Sequence, residues 1–537
     1  MKRMLAMTAM LLCMITVFTS CGGYLKFSKA IEVNSYEEPA ASLTEAAKID
    51  VEGELSYSAT AGNLVVFEKT DDAGNTTISV YNMATNAVVW TGATSKTEST
   101  GTRSTVTYTV KAVEQCDVSW FYVVKTTTTE KENEDPVTDA LISMFNEKGE
   151  LIVESNAKGV KVPDVELDLV RFDGKIFRVT AKKGVKEAFA YSELNAELNL
   201  DSKAGGYYIA ESEYKGFTVY NSKLKAVVAY ECPSYAENFK YFPLNNGNVL
   251  VQYVINNGEY AEDYTYIEDG EKKTLVSVLV NVKKGTTKEI ELDFVVSGLV
   301  IRDTVDADSS EWKEMGVSKD IENLAAVFMI DNEHLDRSIA TAELVTLTNK
   351  AKIDDMIGGY VSGMIPSLEM VSMNRWEVSN NAGQKFLLNH KGTVLGETTN
   401  ATGRGTLGFI YNGKLYNWSL EVVLDMNEYE PSEINMFTRS LVFVAKSGET
   451  MIYANNEVKT LIAKEEEKSY RRINSGIFMI KTGENKYELY NDIGEVIYTS
   501  DSTIEDIEIA VTGNNVVILR IEQTVKGKTE SFYLRLA

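Results

Sequence analysis

From Leu55 onward the chain has a repeating texture. Short runs of Val, Ile, Tyr, Phe and Thr alternate with clusters of Gly, Asn and Asp. Runs of this kind bounded by turn residues predict strands joined by hairpins. The clearest apolar runs are Leu64–Phe67, Trp120–Val124, Tyr207–Ala210 and Ile477–Ile480. Stretches of helical period are few, so helices are expected to be minor. Residues 22–50 lack the strand texture, and a helical turn or two is expected around Pro39–Ala47. The charged run Lys464–Lys468 reads as a solvated hairpin tip.

The runs recur as a unit. Val80–Val89 matches Val219–Val228 at six of ten positions, and Met144–Ile152 matches Leu489–Ile497 in the same way. Leu387–Gly392 is a weaker copy. Each copy reads as strand, tight turn, strand. The asparagine can bond its own backbone to open the turn, and glycine accepts the positive φ that follows. Asn82, Asn146 and Asn221 are spaced by 64 and 75 residues, and the 102 residues from Asn389 to Asn491 can hold two more units. The span therefore predicts about seven or eight units of three or four antiparallel strands. An all-β fold with one large β-propeller of about seven or eight blades suits this count, with tandem β-sandwiches as the alternative. Radial repetition buries both faces of each blade and leaves only short edges. No Pro/Gly/Ser-rich linker breaks the chain into separate sandwiches. Closure of a propeller pairs the chain ends, so Asn515–Leu519 and Ser531–Leu534 are expected in one sheet with strands from roughly residues 51–70.

The first copy, Ser79–Trp90, resembles a repeat of the quinoprotein-like and WD-like propellers. That repeat reads apolar residue, Ala or Tyr, Asp, two residues, Thr-Gly, then a strand ending in Trp. Here Asn82 stands for the aspartate and Asn86 for the glycine, and the other copies lack the Trp. The resemblance implies the fold and brings no cofactor with it.

The N-terminus has a different character. Lys2 and Arg3 precede an uncharged run from Met4 to Phe18, shorter than the roughly 20 residues needed to cross a bilayer. It ends in Phe18-Thr19-Ser20-Cys21-Gly22-Gly23. This resembles the lipobox of bacterial lipoproteins, with Phe18 where leucine is usual. The resemblance implies cleavage before Cys21 and lipid on the Cys21 thiol and new amino group, together enough for stable anchoring. The other reading is an ordinary secretory signal. The expected organisation is a signal peptide over 1–20, a lipidated tether over 21–50 and the propeller over 51–537. The protein is expected on the exported side of the cell membrane or outer membrane, with the membrane as a partner through its lipid.

Charge and composition narrow the function classes. Removing residues 1–20 takes the net charge from −24 to −26, which disfavours nucleic acid and anionic lipid surfaces. Cys116 and Cys232 are then the remaining cysteines, and they are either a disulfide or two separate thiols. Two histidines, His334 and His390, exclude a histidine metal cage, and both lie in polar turn sequences. Gly403–Gly408 matches GxGxxG but is followed by a strand pattern where a dinucleotide site needs a helix. Asp306–Glu311 has the alternating oxygens of a calcium loop but lacks its central glycine and twelfth-position glutamate. The Tyr- and acid-rich stretch Glu259–Tyr266 reads as an extended hairpin arm. No catalytic, cofactor or metal residue is assigned. The expected function is a non-catalytic envelope module that binds a protein or glycan through its long loops, Thr126–Asp139 and Glu259–Lys273. The alternative is a propeller hydrolase or lyase acting on extracellular glycans through two carboxylates.

Overall fold

The computed structural model describes residues 42–537 apart from 100, 133, 157–160, 191–199, 205, 213–214, 244–248, 256–264, 269–270, 291–295, 302–323, 331–340, 347–349, 353–366, 373–374, 380–384, 390–393, 465–468, 475 and 514. Among these residues the regular structure is strand, with short 3-10 turns at Tyr57–Ala59 and Met426–Glu428. The strands form eleven antiparallel sheets of four or five strands, nearly all joined in sequence order. This is the β-propeller class of fold. The chain divides into two compact units, one of Glu38–Ala196 with Thr402–Ala537 and one of Glu197–Ala401.

The first unit holds seven of the sheets. Its blades pack face to face because their middle strands are apolar on both sides. In Leu64–Thr70, Val65 and Phe67 meet Ile518 and Tyr533 of the C-terminal sheet. Leu64 and Val66, pointing the other way, meet Val110 and Phe121 of the sheet spanning 95–155. In Ile477–Gly483 the same alternation sends Ile477 and Met479 to the C-terminal sheet and Phe478 and Ile480 to the 433–462 sheet. Successive side chains of a strand point to opposite faces, so an unbroken apolar run is what a doubly covered strand requires. Each such large side chain contributes roughly 1.5–3 kcal/mol on burial. A sheet with a neighbour packed on each face is a blade and cannot be half of a β-sandwich.

The ends of the chain close one sheet. Ala46–Lys48 pairs with Lys528–Leu536, which pairs with Val516–Val525, and that strand pairs in turn with Thr503–Gly513. The closing strand thus lies just upstream of the expected 51–70, and it replaces the helical turn expected near Ala47. Ala-Ala-Lys has helical propensity, but Ala46–Lys48 instead lies in register with Lys-free Leu534, Arg535 and Leu536 of the C-terminal strand. The latch is reinforced by Thr44 N and Glu45 N, which both donate to Ala537 O, and by Ile49 N donating to Tyr533 O. Arg535, buried in the C-terminal strand, donates to Met83 O and Ala84 O of the next sheet.

The repeated asparagines do what their sequence implied. Oδ1 of Asn146 accepts from Lys148 N and Glu150 N at 2.9 and 3.0 Å. Asn221 and Asn491 bond in the same pattern, and so does Asn417, which the repeat comparison missed. Gly149 and Gly494 take the positive φ three residues on, but Leu224 and Leu420 take it in their copies. The 164–190 sheet turns through Ala181–Lys183 with no asparagine at all. The turns at Asn417 and at Ala181–Lys183 stand outside the repeats read from sequence, and the described residues form more sheets than the seven or eight units expected.

Candidate functional site

Three tight turns of the first unit surround a cleft between the 95–155 and 164–190 sheets. Cys116 and Asp117, both at positive φ, link Thr102–Gln115 to Val118–Lys131. Asn146–Glu150 links Val137–Asn146 to Leu151–Ser155. Ala181–Lys183 links Lys175–Thr180 to Gly184–Ala190. The enclosed volume is about 600 Å³. Its apolar lining includes Phe177 and Val185, both buried in the core shared by these sheets. Gln115, also buried, ties the two sheets by donating from Nε2 to Leu169 O at 3.0 Å. Gly149, in the Asn146–Glu150 turn, has a φ of +78°, and a Cβ there would lie 2.1 Å from Val89 O.

The rim is charged. Lys148, Lys182, Lys183 and Lys186 line it together with Asp117, Glu147, Glu150 and Glu187. Two of the acids are engaged: Glu187 pairs with Lys175 at 2.7 Å, and Glu150 accepts from Asn146 Nδ2 at 2.7 Å. Among the described residues none of the four lysines forms an ion pair. Their exposed ammonium groups sit on a chain of net charge −24. The sequence signal for this cleft was the Lys182-Lys183 doublet ahead of Gly184, which the charge total concealed.

The described residues hold no group of three or more His, Cys, Asp and Glu side chains placed to bind a metal ion. Their carboxylates with displaced pKa values are all displaced downward. The Lys69 ammonium lowers Glu52, Asn75 lowers Asp71 through side-chain and backbone hydrogen bonds, and Lys414 lowers Asp425. Such shifts mark ion pairs and turn caps, whereas a general acid is held protonated by a raised pKa.

The residues singled out from sequence fare differently. Cys21, His334, His390 and Asp306–Glu311 lie outside the described residues. Cys116 and Cys232, weighed as a disulfide, are not joined in one. Cys116 is exposed at its turn, while Cys232 packs half-buried against an apolar cluster that pushes its thiol up to about 11. Gly403–Gly408 is a hairpin, strand Thr402–Gly405 leading to Gly408–Tyr411, so the GxGxxG match has no helix N-terminus behind it. Of Glu259–Lys273, the described part is a hairpin pairing Thr265–Glu268 with Glu271–Thr274.

Thr126–Asp139, expected as a recognition loop, is mostly strand. Thr102–Gln115 and Val118–Lys131 pair along their full fourteen residues, and Val137–Asn146 continues the sheet. The β-branched threonines favour this extension. Ser95–Ser99 pairs along its outer edge. Across Ser95–Ser99, Thr102–Thr109, Lys125–Lys131 and Val137–Leu141 no described residue is buried, so the sheet projects as an arm past the blade core. Hydroxyls are matched across it: Ser104 with Thr129 at 3.2 Å and Thr128 with Thr138 at 3.3 Å.

No protein-family model and no curated protein matches the chain. Among solved structures it is similar to a eukaryotic initiation factor at 8% identity, covering 88% of this chain and 98% of that one, with a TM-score of 0.29. It is similar to BamB from Moraxella catarrhalis at 8% identity, over 91% and 96% of the two chains, with a TM-score of 0.14. The Dos1 propeller matches at 9% identity over 74% and 88%, with a TM-score of 0.22.

Proposed function

We propose that the protein is an exported lipoprotein, anchored through Cys21, that works as a non-catalytic binding module for an envelope protein or glycan. The cleft between the 95–155 and 164–190 sheets is its binding surface. The observation that carries this reading is the rim itself: four lysines that form no ion pair among the described residues, around a preformed cavity. Unpaired ammonium groups at the mouth of a cleft attract an acidic partner, while the blades cost little ordering on binding. The anchoring half of the proposal rests on the lipobox resemblance at Phe18–Gly23.

Two experiments test the two halves. Cys21→Ser should move the protein from the membrane fraction to the soluble exported fraction, and a variant that stays membrane-bound would overturn the anchor. Lys182→Glu with Lys183→Glu should abolish co-purification of an envelope partner while the circular dichroism spectrum is unchanged. Cleavage of a polysaccharide by the purified protein, lost on mutating one pair of carboxylates, would replace this reading with a glycan-cleaving enzyme.

A further inference from the structure

The projecting arm ends in a free strand edge. Among the described residues Ser95–Ser99 is the last strand of its sheet, pairs on one side only, with Thr102–Val106, and is exposed at all five positions. The pairing Ser99↔Thr102 closes a two-residue turn. In such a hairpin the flanking pair is hydrogen-bonded and the pattern alternates from there. Ser99, Thr97 and Ser95 therefore direct their backbone groups to the neighbouring strand, and Lys96 and Glu98 direct theirs outward.

Exposed edges are normally guarded, and an edge lysine is one common guard because two lysines brought opposite each other repel. Here Lys96 is followed two residues later by Glu98, on the same face of the strand. When a second copy of Ser95–Ser99 is laid antiparallel along this edge, with a two-fold axis at Thr97, Lys96 falls opposite the partner copy's Glu98. The symmetry repeats the pair on the other side of the axis. The outward backbone groups are those of the same two residues, so each Lys–Glu pair coincides with a hydrogen-bonded pair, giving four backbone hydrogen bonds in all. Isologous pairing of this kind satisfies both copies at once.

We infer that Ser95–Ser99 is a self-pairing edge that joins two copies of this chain into an antiparallel dimer. The present neighbours of the charges leave them available. Glu98 is 74% exposed at its side chain and lies 3.7 Å from Arg103, a loose surface pair, and among the described residues Lys96 forms no ion pair and is felt weakly by the exposed Asp71. The edge is five residues long, so the dimer is weak and reversible, in the class of small transient interfaces. The inference is independent of the cleft and of the anchor.

The test exploits the symmetry. Full-length protein in non-ionic detergent is followed by sedimentation velocity from micromolar to submillimolar concentration. The unaltered chain should show a reversible monomer–dimer equilibrium. Lys96→Glu places glutamate opposite glutamate twice, and Glu98→Lys places lysine opposite lysine twice, so each variant alone should dimerise roughly 10- to 30-fold more weakly. An equimolar mixture of the two variants restores both attractive pairs and should regain dimers, read by energy transfer between differently labelled variants. As a second readout, Thr97→Cys should form a disulfide joining position 97 to itself under mild oxidation, while Ser95→Cys should not. A chain that is monomeric throughout, variants that dimerise as well as the unaltered chain, or a mixture that fails to recover would each overturn the inference.

Discussion

The Asn491 turn offers the sharpest check on how the blades are held. Asn491 is fully buried, and each of its polar atoms is used. Oδ1 accepts from Ile493 N at 3.2 Å and Glu495 N at 2.9 Å. Nδ2 donates to Leu43 O at 2.9 Å and to Glu495 Oε2 at 3.1 Å. The bond to Leu43 joins the turn to the N-terminal segment that closes the last sheet. Asn146 makes the same turn in another blade, but its side chain is only part-buried and its third bond goes to the exposed Glu150. Asn491→Ala strands the Leu43 carbonyl and the turn amides away from water. At about 1–3 kcal/mol for a buried group left unpaired, the expected loss is about 3 kcal/mol. Asn146→Ala exposes its amides to water, which replaces the lost bonds, so the expected loss is about 1 kcal/mol. For a unit of this size the first variant should melt roughly 5 °C lower and the second roughly 1–2 °C lower. Calorimetry and urea unfolding of both variants measure the difference. Asn491→Asp keeps the Oδ1 acceptor but sets a carboxylate against Leu43 O and Glu495. It should be at least as damaging at neutral pH and recover as acid protonates the new group, which can then donate. If Asn491→Ala and Asn146→Ala fall within about 0.5 kcal/mol of each other, burial is not what separates these turns and the reasoning fails.

Four further outcomes are expected. Arg535→Ala removes the buried guanidinium that holds Met83 O and Ala84 O, and should cost about 2–4 kcal/mol by chemical denaturation. Gly149→Ala forces a Cβ toward Val89 O at a positive φ, and should cost about 2 kcal/mol or more, whereas Gly174→Ala meets no atom within 4 Å and should cost less, both read by urea unfolding. In the folded protein, iodoacetamide at pH 8 should modify exposed Cys116 well before Cys232, as read by peptide mass spectrometry. Burial raises the Cys232 thiol from its ordinary value near 9 to about 11, so the unfolded chain ionises first. Its contribution to stability is present below pH 9 and is lost as the pH rises toward 11, a loss that Cys232→Ser should remove.

Local chemistry was legible in the sequence because it is local. The runs Leu64–Phe67 and Ile477–Ile480 announced strands covered on both faces, since side-chain alternation needs no knowledge of what lies opposite. The asparagine turns were equally readable, because Asn146 and Asn491 bond amides only two and four residues away. The absence of a dinucleotide site at Gly403–Gly408 followed from the strand pattern beyond it. What depends on distant partners was not legible. Ala46–Lys48 carries no strand signal of its own and becomes one only where it lies against Lys528–Leu536. Leu43 and Asn491 meet across 448 residues of chain, a contact that no repeat comparison could supply. The cleft depends likewise on three turns from two sheets, and its lysines are scattered from Lys148 to Lys186 in sequence. Even the number of sheets escaped, because a turn needs only a residue that tolerates positive φ. Leu420 supplies it after Asn417, outside the repeats read from sequence, and the 164–190 sheet turns through Ala181–Lys183 with no asparagine. Hydrogen bonds between neighbours write themselves into the order of residues, and packing between remote strands leaves its mark only when the chain has closed.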